Sequence, residues 1–286
     1  MTTTNKEAKN TLEEIRTAWD EIAAGYDEFV TPTHMWLANK ALRLAGLRPG
    51  MRLLDVAPGS GALSIPAARL GAQVLAADLS PNMVERLKAR ARKEVLSNLE
   101  TRVMDGHALE LEDNTFDISG SQFGVMLFPD LPRGLSELGR VTKSGGRVLI
   151  VAYGPATEVE FLNFFIGAMQ SAVPGFTGLP TDPPPLPFQV ADPEKLCQEL
   201  ARAGLKHIRV ETVTESLEFQ SAMHMWTWVT NSNPTGAMLV ADLTKEQRAL
   251  VQRARSCRSD QPGPHRHRDK MKVLPEVAPR AKERSE

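Results

Sequence analysis

Two glycines, Gly59 and Gly61, follow an apolar run that contains the acid Asp55 and precede a return to helical periodicity. Glycine permits a positive φ and lets a ligand lie against bare backbone, and a helix that begins there presents free amide groups. A tight strand-to-helix turn would need glycines as well. The spacing alone therefore leaves a ligand loop and a structural turn open.

Two acids, Asp78 and Asp105, end the next two predicted strands. An acid at the end of the second strand of a doubly wound sheet accepts hydrogen bonds from ribose hydroxyls. Asp78 could instead cap the following helix, but Ser80 already fills that role. Because the carboxyl ends of parallel strands share one edge, we expect both acids and Gly59 at one ligand-binding edge.

The glycine loop departs from the dinucleotide fingerprint, which has Gly or Ala at its third position where Ser64 stands here. Asp55, before the loop, would also repel a pyrophosphate. It could instead orient the amino group of a zwitterionic ligand, directly or through water. These features favour S-adenosylmethionine, which joins adenine and ribose to an amino acid without a phosphate. An NAD(P)-binding oxidoreductase remains the alternative.

Alternating strands and helices must position these residues. Apolar runs predict strands at 51–57, 72–78, 100–106, 116–122 and 146–154, with helical patterns between them. Such alternation implies right-handed crossovers and a parallel sheet with helices on both faces.

Composition limits the function classes. The chain has 286 residues, a net charge of −1 and 42% apolar residues, so its overall charge favours neither nucleic acid nor membrane. Its two cysteines match no metal spacing, and we expect no metal. The polar N-terminus and the sparse cysteines predict a cytoplasmic protein.

Five ordered segments carry a family resemblance: "LLDVAPGSG", "VLAADLSPNMV", "VMDGHALEL", "FDISGSQFGVMLFPD" and "LSELGRVTKSGGRVLIVAYG". They resemble the successive signature segments of class I S-adenosylmethionine-dependent methyltransferases, and within these the small-molecule branch that includes ubiquinone/menaquinone-biosynthesis enzymes. The resemblance covers residues 15–155. In one departure, Ala57 stands where the family pattern has its first glycine.

The resemblance implies an α/β fold: a doubly wound, Rossmann-like, mainly parallel seven-stranded sheet with an N-terminal helical cap and a helical lid insert. The final strand is doubtful, because its best match, 271–278, contains Pro275. The alternating run at 207–219 predicts a sixth strand. The charged tail favours disorder, which would leave this sixth strand open to pairing with a second subunit in a homodimer; the oligomeric state stays open. The expected regions are the cap (1–50), the S-adenosylmethionine-binding core (51–155), the substrate lid with the C-terminal part of the sheet (156–252), and the largely disordered basic tail (253–286).

At the methionine end of the cofactor, the resemblance implies contacts from Ala57, Gly59 and Gly61. Asp78 would hold both ribose hydroxyls. Tyr26 matches a tyrosine that helps to close the cap over the cofactor.

At the adenine end, the resemblance implies that Leu79 and Met83 flank the ring and that Asp105 accepts its amino group. Beside Asp105 would lie Gly106, His107 and Ala108. Gln122 and Phe123, after the fourth strand, would face the transferable methyl. No catalytic base is predicted; the candidates weighed are His34, His107, His224 and Tyr153.

Bulky apolar residues after 156 are candidates for the substrate surface, with packing of the lid onto the sheet as the alternative: Phe161, Phe164, Phe165, Met169, Met223 and Trp226. A nucleic-acid methyltransferase would typically carry an Asn/Asp-Pro-Pro-aromatic motif after strand four, where "GSQFG" stands. A non-catalytic protein that binds S-adenosylmethionine also remains an alternative.

Overall fold

A mainly parallel sheet runs through the protein, for which a computed structural model describes residues 3–256 and 265–274. The order of its strands is β3-β2-β1-β4-β5-β7-β6, where β1 to β5 are parallel and β7 is antiparallel to both neighbours. The strands are β1 (Arg52–Val56), β2 (Gln73–Asp78), β3 (Leu99–Val103), β4 (Phe116–Gln122), β5 (Thr142–Tyr153), β6 (Glu211–Phe219) and β7 (His265–Leu274).

Helices cover both faces of this sheet, as the predicted α/β class requires. Their bounds are α1 (Thr3–Gly25), α2 (Thr31–Leu44), α3 (Ser64–Arg69), α4 (Pro81–Lys93), α5 (Leu131–Val141), α6 (Glu160–Ala172), α7 (Pro193–Arg202), α8 (Ala222–Ser232), α9 (Pro234–Ala241) and α10 (Lys245–Ser256).

The central strands β1 and β4 are apolar because both faces of the sheet are covered. Leu53 and Leu54 of β1 are fully buried, and Ile118 of β4 is 1% exposed. Leu54 pairs with Leu75 on one side and with Ser119 on the other. The carboxyl ends of β1, β2 and β4 therefore lie side by side at one edge of the sheet.

The N-terminal cap is more continuous than its sequence pattern predicts. The pair Thr11 and Glu14 reads as a capping box, but α1 begins at Thr3, so Thr11 lies inside the helix. Its end at Gly25 leads directly into a π-helical turn, Tyr26–Val30, and then into α2 without a loop. Such π turns often accompany functional sites. Here the turn carries Tyr26, one of the predicted site residues.

Polar contacts fasten this cap to α4. Asp20 accepts hydrogen bonds from the Ser80 hydroxyl and from the Asn82 amide, the latter at 3.1 Å. Arg90 donates to the Asp27 carbonyl at 2.8 Å and pairs with its carboxylate. The cap is thereby held over the carboxyl end of β2, where α4 begins.

The expectation of a largely disordered tail after residue 253 is wrong for two segments. Helix α10 continues to Ser256, and β6 pairs along its whole length with β7, from Glu211↔Val273 to Phe219↔His265. Backbone pairing with β5 and β6 on both sides makes this strand although its sequence does not alternate. It ends at Leu274, before Pro275 in the sequence. Residues 257–264 and 275–286 lie outside the described residues.

Two features are absent from the described residues. No described helix has the length and apolarity needed to cross a membrane. Among the same residues, no cluster of three or more His, Cys, Asp or Glu side chains could bind a metal ion.

Candidate cofactor and acceptor site

The loop after β1 requires its glycines for two different reasons. Gly59 has a φ of +56°, and a Cβ there would lie 2.8 Å from Cε1 of Tyr26. Gly61 has a φ of +104°, and a Cβ there would lie 2.3 Å from Cδ1 of Leu87. Gly59 therefore makes room for the cap tyrosine, whereas Gly61 makes room for α4. Ala57 also has a positive φ, +54°, which is uncommon for a residue with a side chain.

Asp78, the last residue of β2, joins the glycine loop to the start of α4. Its two carboxylate oxygens accept hydrogen bonds from the Gly59 and Ser80 amides, each at 2.9 Å. Burial raises the pKa of Asp78 to about 6, against the lowering effect of these hydrogen bonds. Each carboxylate oxygen can accept a second hydrogen bond. Asp78 can therefore shape the loop and still bind a pair of ligand hydroxyls.

Asp55 is fully buried behind the loop. Its Oδ2 accepts a hydrogen bond from the Ser64 hydroxyl at 2.5 Å, while its Oδ1 has no hydrogen-bond partner among the described residues. Burial, with a smaller contribution from Asp78, raises the pKa of Asp55 to about 7. An unsatisfied buried acceptor is costly, so an ammonium group or a water molecule that donates to it would be stabilising.

Asp105, after β3, forms a short turn with His107. One carboxylate oxygen of Asp105 accepts hydrogen bonds from the His107 amide at 2.9 Å and from its Nδ1 at 2.8 Å. The side-chain hydrogen bond from His107 is the main cause that lowers the pKa of Asp105. The His107 ring packs against Phe128, with 4.4 Å between centroids. The two rings are tilted by 33° to each other and make an aromatic wall beside an ionised carboxylate, which suits a nucleobase.

These features surround one cavity, called here the first cavity, with an empty volume of about 720 Å³. Most of the predicted site residues line it: Tyr26, Ala57, Gly59, Asp78, Leu79, Met83, Asp105, Gly106, His107, Gln122 and Phe123. Three others do not, namely Asp55, Gly61 and Ala108. Ala108 instead closes a turn, because its amide donates to the Asp105 carbonyl at 3.0 Å.

Sequence reasoning missed part of this lining, above all Trp19, Leu127 and Phe128. The sequence does carry a signal for Trp19, because Ile15, Trp19 and Ile22 recur at helical spacing, which indicates a packed face. Its ring meets that of Tyr26 edge to face at 5.7 Å. Leu127 and Phe128 lie in the irregular segment after β4, where periodicity carries no information.

A second cavity, with an empty volume of about 1350 Å³, adjoins the first. Both are lined by Ile15, Trp19, Tyr26, Phe123 and Leu127. The second cavity also has Val30, His34, Met126, Tyr153, Trp228, Ser232, Asn233, Leu239 and six residues of the proline-rich segment 178–187 in its wall. Among the described residues that line it, none is Asp, Glu, Lys or Arg.

The six lid residues that were predicted to form the substrate surface line neither of these two cavities. That prediction is therefore wrong for both cavities. Phe161, Phe165, Met169 and Trp226 are buried in the core, which is the packing alternative. Phe164 and Met223 are 42% and 55% exposed. The proline-rich segment 178–187, whose prolines indicate only a loop, lines the second cavity where the lid helix was expected to do so.

The sequence of this chain is similar to those of known methyltransferases. Residues 54–150 match the family model described as a methyltransferase domain. The chain is 33% identical over 166 residues to 2-phytyl-1,4-naphtoquinone methyltransferase of Trichormus variabilis, covering 53% of this chain and 69% of that protein. It is 41% identical over 109 residues to an uncharacterized protein of Mycobacterium tuberculosis, covering 38% of this chain and 39% of that one.

The fold has solved counterparts as well. The YcgJ protein of Bacillus subtilis superposes with a TM-score of 0.54 at 17% identity, over 87% of this chain and 99% of the other. The matches thus span about two-fifths of the M. tuberculosis relative but more than two-thirds of the Trichormus enzyme. The chain belongs to the S-adenosylmethionine-dependent methyltransferase family, as the resemblance predicted, and S-adenosylmethionine is its cofactor.

Proposed function

We propose that this protein transfers the methyl group of S-adenosylmethionine to a small, uncharged, partly apolar molecule. One observation carries the proposal: a cavity bordered by two acids and a glycine loop shares a wall with a larger cavity whose described lining has no charged side chain. In the proposed arrangement the cofactor occupies the first cavity and the acceptor the second. The methyl passes between them beside Phe123 and Tyr26.

The proposed cofactor contacts follow from the hydrogen-bonding capacity of the first cavity. Asp78 accepts from the ribose hydroxyls, and Asp105 with the His107 wall takes the adenine. Asp55 receives the amino group directly or through water, since its Oδ1 lacks a partner among the described residues. Gly61 and Ala108 act through the shape of their loops, because neither lines the cavity.

The cofactor supplies a methyl group that its sulfonium has already activated, so the work of the chain is alignment and exclusion of water. Holding two reactants in line can contribute roughly 7–11 kcal/mol to lowering a barrier. Tyr26 and Trp19 line both cavities and are the residues proposed to shield this path from solvent. Burial, aided by Asp78 and Asp55, raises the pKa of Tyr26, so its hydroxyl stays neutral at the reacting methyl.

The acceptor class follows from the second cavity. The described lining is mainly aromatic and aliphatic and offers no charged side chain that could pair with an ionic ligand. It therefore favours a neutral, flat or apolar molecule over a phosphorylated or ionic one. The Trichormus relative is named for a quinone substrate. An acceptor of comparable shape would suit this cavity.

Calorimetry with several cofactors tests the first half of the proposal. S-adenosylmethionine and S-adenosylhomocysteine are expected to bind, and NAD⁺ and NADP⁺ are not. Preference for a nicotinamide cofactor would favour the oxidoreductase alternative.

Turnover tests the second half. Release of S-adenosylhomocysteine is measured against a panel of neutral aromatic and isoprenoid compounds, with tRNA and DNA in separate arms. Activity confined to nucleic acid would contradict the proposed acceptor class. Binding without turnover on any arm would favour a non-catalytic role. The cytoplasmic location remains a prediction of the sequence, and the oligomeric state stays open.

A further inference from the structure

His34, in α2, is a buried polar group in the mainly apolar wall of the second cavity. The residue is 2% exposed, and neither ring nitrogen has a hydrogen-bond partner among the described residues. Its ring packs on Phe123 with 4.8 Å between centroids. Because Phe123 lines both cavities, His34 lies next to the wall through which the methyl is proposed to pass.

Other polar groups of this wall are already engaged. The indole N–H of Trp228 donates to the Phe29 carbonyl at 3.1 Å, and the Ser232 hydroxyl donates to the Trp228 carbonyl. Gln122, which lines the first cavity and not the second, donates its side-chain amide to the backbone carbonyl of His34 at 3.0 Å, while its own Oε1 has no partner among the described residues. This hydrogen bond fixes the helix but leaves the imidazole untouched. The His34 ring is therefore available to a polar group of the acceptor.

The other two candidate histidines occupy different surroundings. His107 is hydrogen-bonded to Asp105 and lines only the first of the two cavities. His224 lies between the rings of Phe29 and Phe219, and its Nδ1 accepts from the Gln220 amide at 3.2 Å. It lines neither cavity. Position thus separates His34 from His224, which the sequence left as an equal candidate, and agrees with the expectation that His107 lies beside the adenine.

We propose that His34 is a catalytic residue: its ring nitrogen binds a hydroxyl of the neutral acceptor and takes the proton of that hydroxyl during methyl transfer. This inference rests on the proposed function. A lone pair of the acceptor oxygen forms the new O–C bond, and the C–S bond breaks with its electron pair left on sulfur. The hydroxyl proton moves to His34 and is afterwards released to solvent.

Electrostatics suits this role. Burial lowers the pKa of His34 to about 4, so the imidazole is neutral at pH 7 and has an acceptor nitrogen. The transfer moves one positive charge from sulfur to the imidazole and adds none to the buried site. Tyr26 and Tyr153 are the other titratable residues in the described lining of this cavity, and no acid or ammonium group faces His34 from it.

The ring nitrogens are shielded from solvent, so the acceptor reaches them through a small displacement of the cavity wall. Residues 173–185, which include part of that wall, contain neither helix nor strand and can yield most readily.

A pair of probes tests the hydroxyl contact without requiring the natural acceptor. With saturating S-adenosylhomocysteine, calorimetry gives dissociation constants for 2-naphthol, which has a hydroxyl, and for 2-methoxynaphthalene, in which that donor is blocked. The ratio of the two constants in wild type is compared with the ratio in H34F, which keeps a ring on Phe123. The preference for 2-naphthol is expected to fall by roughly 3- to 10-fold, the worth of one neutral hydrogen bond. H224F is the matched control and should leave the ratio unchanged.

Two further variants separate the possible outcomes. H34L repeats the test with a smaller side chain, and loss of S-adenosylhomocysteine binding in both H34F and H34L would assign His34 to packing and overturn the inference. H34Q keeps a hydrogen-bond acceptor but no proton acceptor. It should retain most of the preference for 2-naphthol, while kcat with any hydroxylated acceptor falls about 100-fold or more.

An unchanged ratio in H34F, or no binding of either naphthalene to the wild-type protein, also overturns the inference. Its failure differs from failure of the proposed function. If wild type does not bind S-adenosylhomocysteine at all, the proposed function falls. If the cofactor product binds normally and the hydroxyl preference is absent, only the role of His34 falls.

Discussion

The two adjoining cavities are built from different kinds of structure. The first lies where strands end, and its acids are fixed by backbone amides, as Asp78 is by Gly59 and Ser80. The second is walled by helix faces and by the irregular segment 178–187, and its one unpartnered imidazole, among the residues described there, is that of His34. Backbone geometry fixes the first cavity, whereas side-chain packing shapes the second.

This difference indicates which part of such a fold can change its specificity for the methyl acceptor. A sheet edge and its turns can change little without breaking hydrogen bonds that the strands need. A wall made of loop and helix side chains can change its shape and polarity at lower cost. The same cofactor can thus be kept while the acceptor changes, and the two cavities should respond to substitution independently.

Asp78→Ala should have the largest effect on the first cavity. It removes the acceptor for both ribose hydroxyls, and hydrogen bonds to a charged group contribute roughly 1.5–3 kcal/mol each. Affinity for S-adenosylhomocysteine, measured by calorimetry, is expected to fall about 100-fold or more. Affinity of the second cavity for an apolar probe should change far less.

Asp117→Ala is the matched control. Asp117 lies at the opposite end of β4, where it accepts from the Arg52 amide at 2.8 Å and pairs with Lys143 at 2.6 Å. Its loss should lower stability but leave cofactor affinity unchanged. Equal losses of affinity in both variants would mean that Asp78 acts through the fold rather than through ribose.

A change of pH should have the second-largest effect on cofactor affinity in the first cavity. The pKa values of about 6 for Asp78 and about 7 for Asp55 lie above the value of an unfolded aspartate. An acid with a pKa of about 6 is about one-tenth ionised at pH 5, so cofactor affinity should fall about tenfold or more between pH 7.5 and pH 5. A flat calorimetric profile over this range would contradict the assigned roles of both acids.

The raised pKa values of Asp78 and Asp55 affect folding stability in the direction opposite to their effect on cofactor affinity. Because the folded pKa is raised, the folded state binds more protons than the unfolded state between pH 4 and pH 7. The contribution of these two acids to stability is therefore largest at the acid end and declines as the pH rises through that window. Asp78→Asn should flatten the dependence of thermal stability on pH there, which calorimetric melting at several pH values can measure.

The features predicted from the sequence are those with a local cause. The strand at 116–122 has the predicted bounds. In the sequence, Asp192 stands directly before Pro193, and Thr244 stands three residues before Gln247, two patterns that indicate helix starts. In the structure Asp192 caps α7 by accepting from the Glu194 amide at 2.8 Å, and Thr244 and Gln247 form both hydrogen bonds of their capping box. Each depends on neighbours within a few residues, so composition and spacing suffice.

The features that escaped prediction depend on contacts between distant segments. His34 reaches the end of β4 only through tertiary packing, and the proline-rich segment meets Tyr153 for the same reason. β7 forms because two strands offer it backbone partners, which its own charged sequence does not reveal. The first cavity was largely predictable and the second was not, because only the first is defined by strand ends.

Leu179→Asp should weaken ligand binding in the second cavity without affecting the first. Leu179 lines the second cavity but not the first, and half-burial of a leucine contributes about 1 kcal/mol. Affinity for 2-methoxynaphthalene is expected to fall about fivefold, with that for S-adenosylhomocysteine unchanged. Met223→Asp, at an exposed position that lines neither cavity, should alter neither constant. Weaker cofactor binding in Leu179→Asp would show that the cavities are coupled.

Ser64→Ala should have the smallest effect and the most informative pH dependence. The Ser64 hydroxyl donates to Asp55, and this hydrogen bond opposes the rise in the pKa of that acid. Without it, less of Asp55 is ionised at pH 7, and affinity for S-adenosylhomocysteine should fall about threefold, the worth of one modest hydrogen bond.

Raising the pH to about 8.5 ionises Asp55 in the variant as well, so the deficit should shrink there. Ser119→Ala is the control, because Ser119 is also fully buried but its hydroxyl has no hydrogen-bond partner among the described residues. A deficit of the same size at both pH values would mean that Ser64 shapes the loop rather than tuning the charge. The polar character of the first cavity would then reside in Asp78 and Asp105 alone.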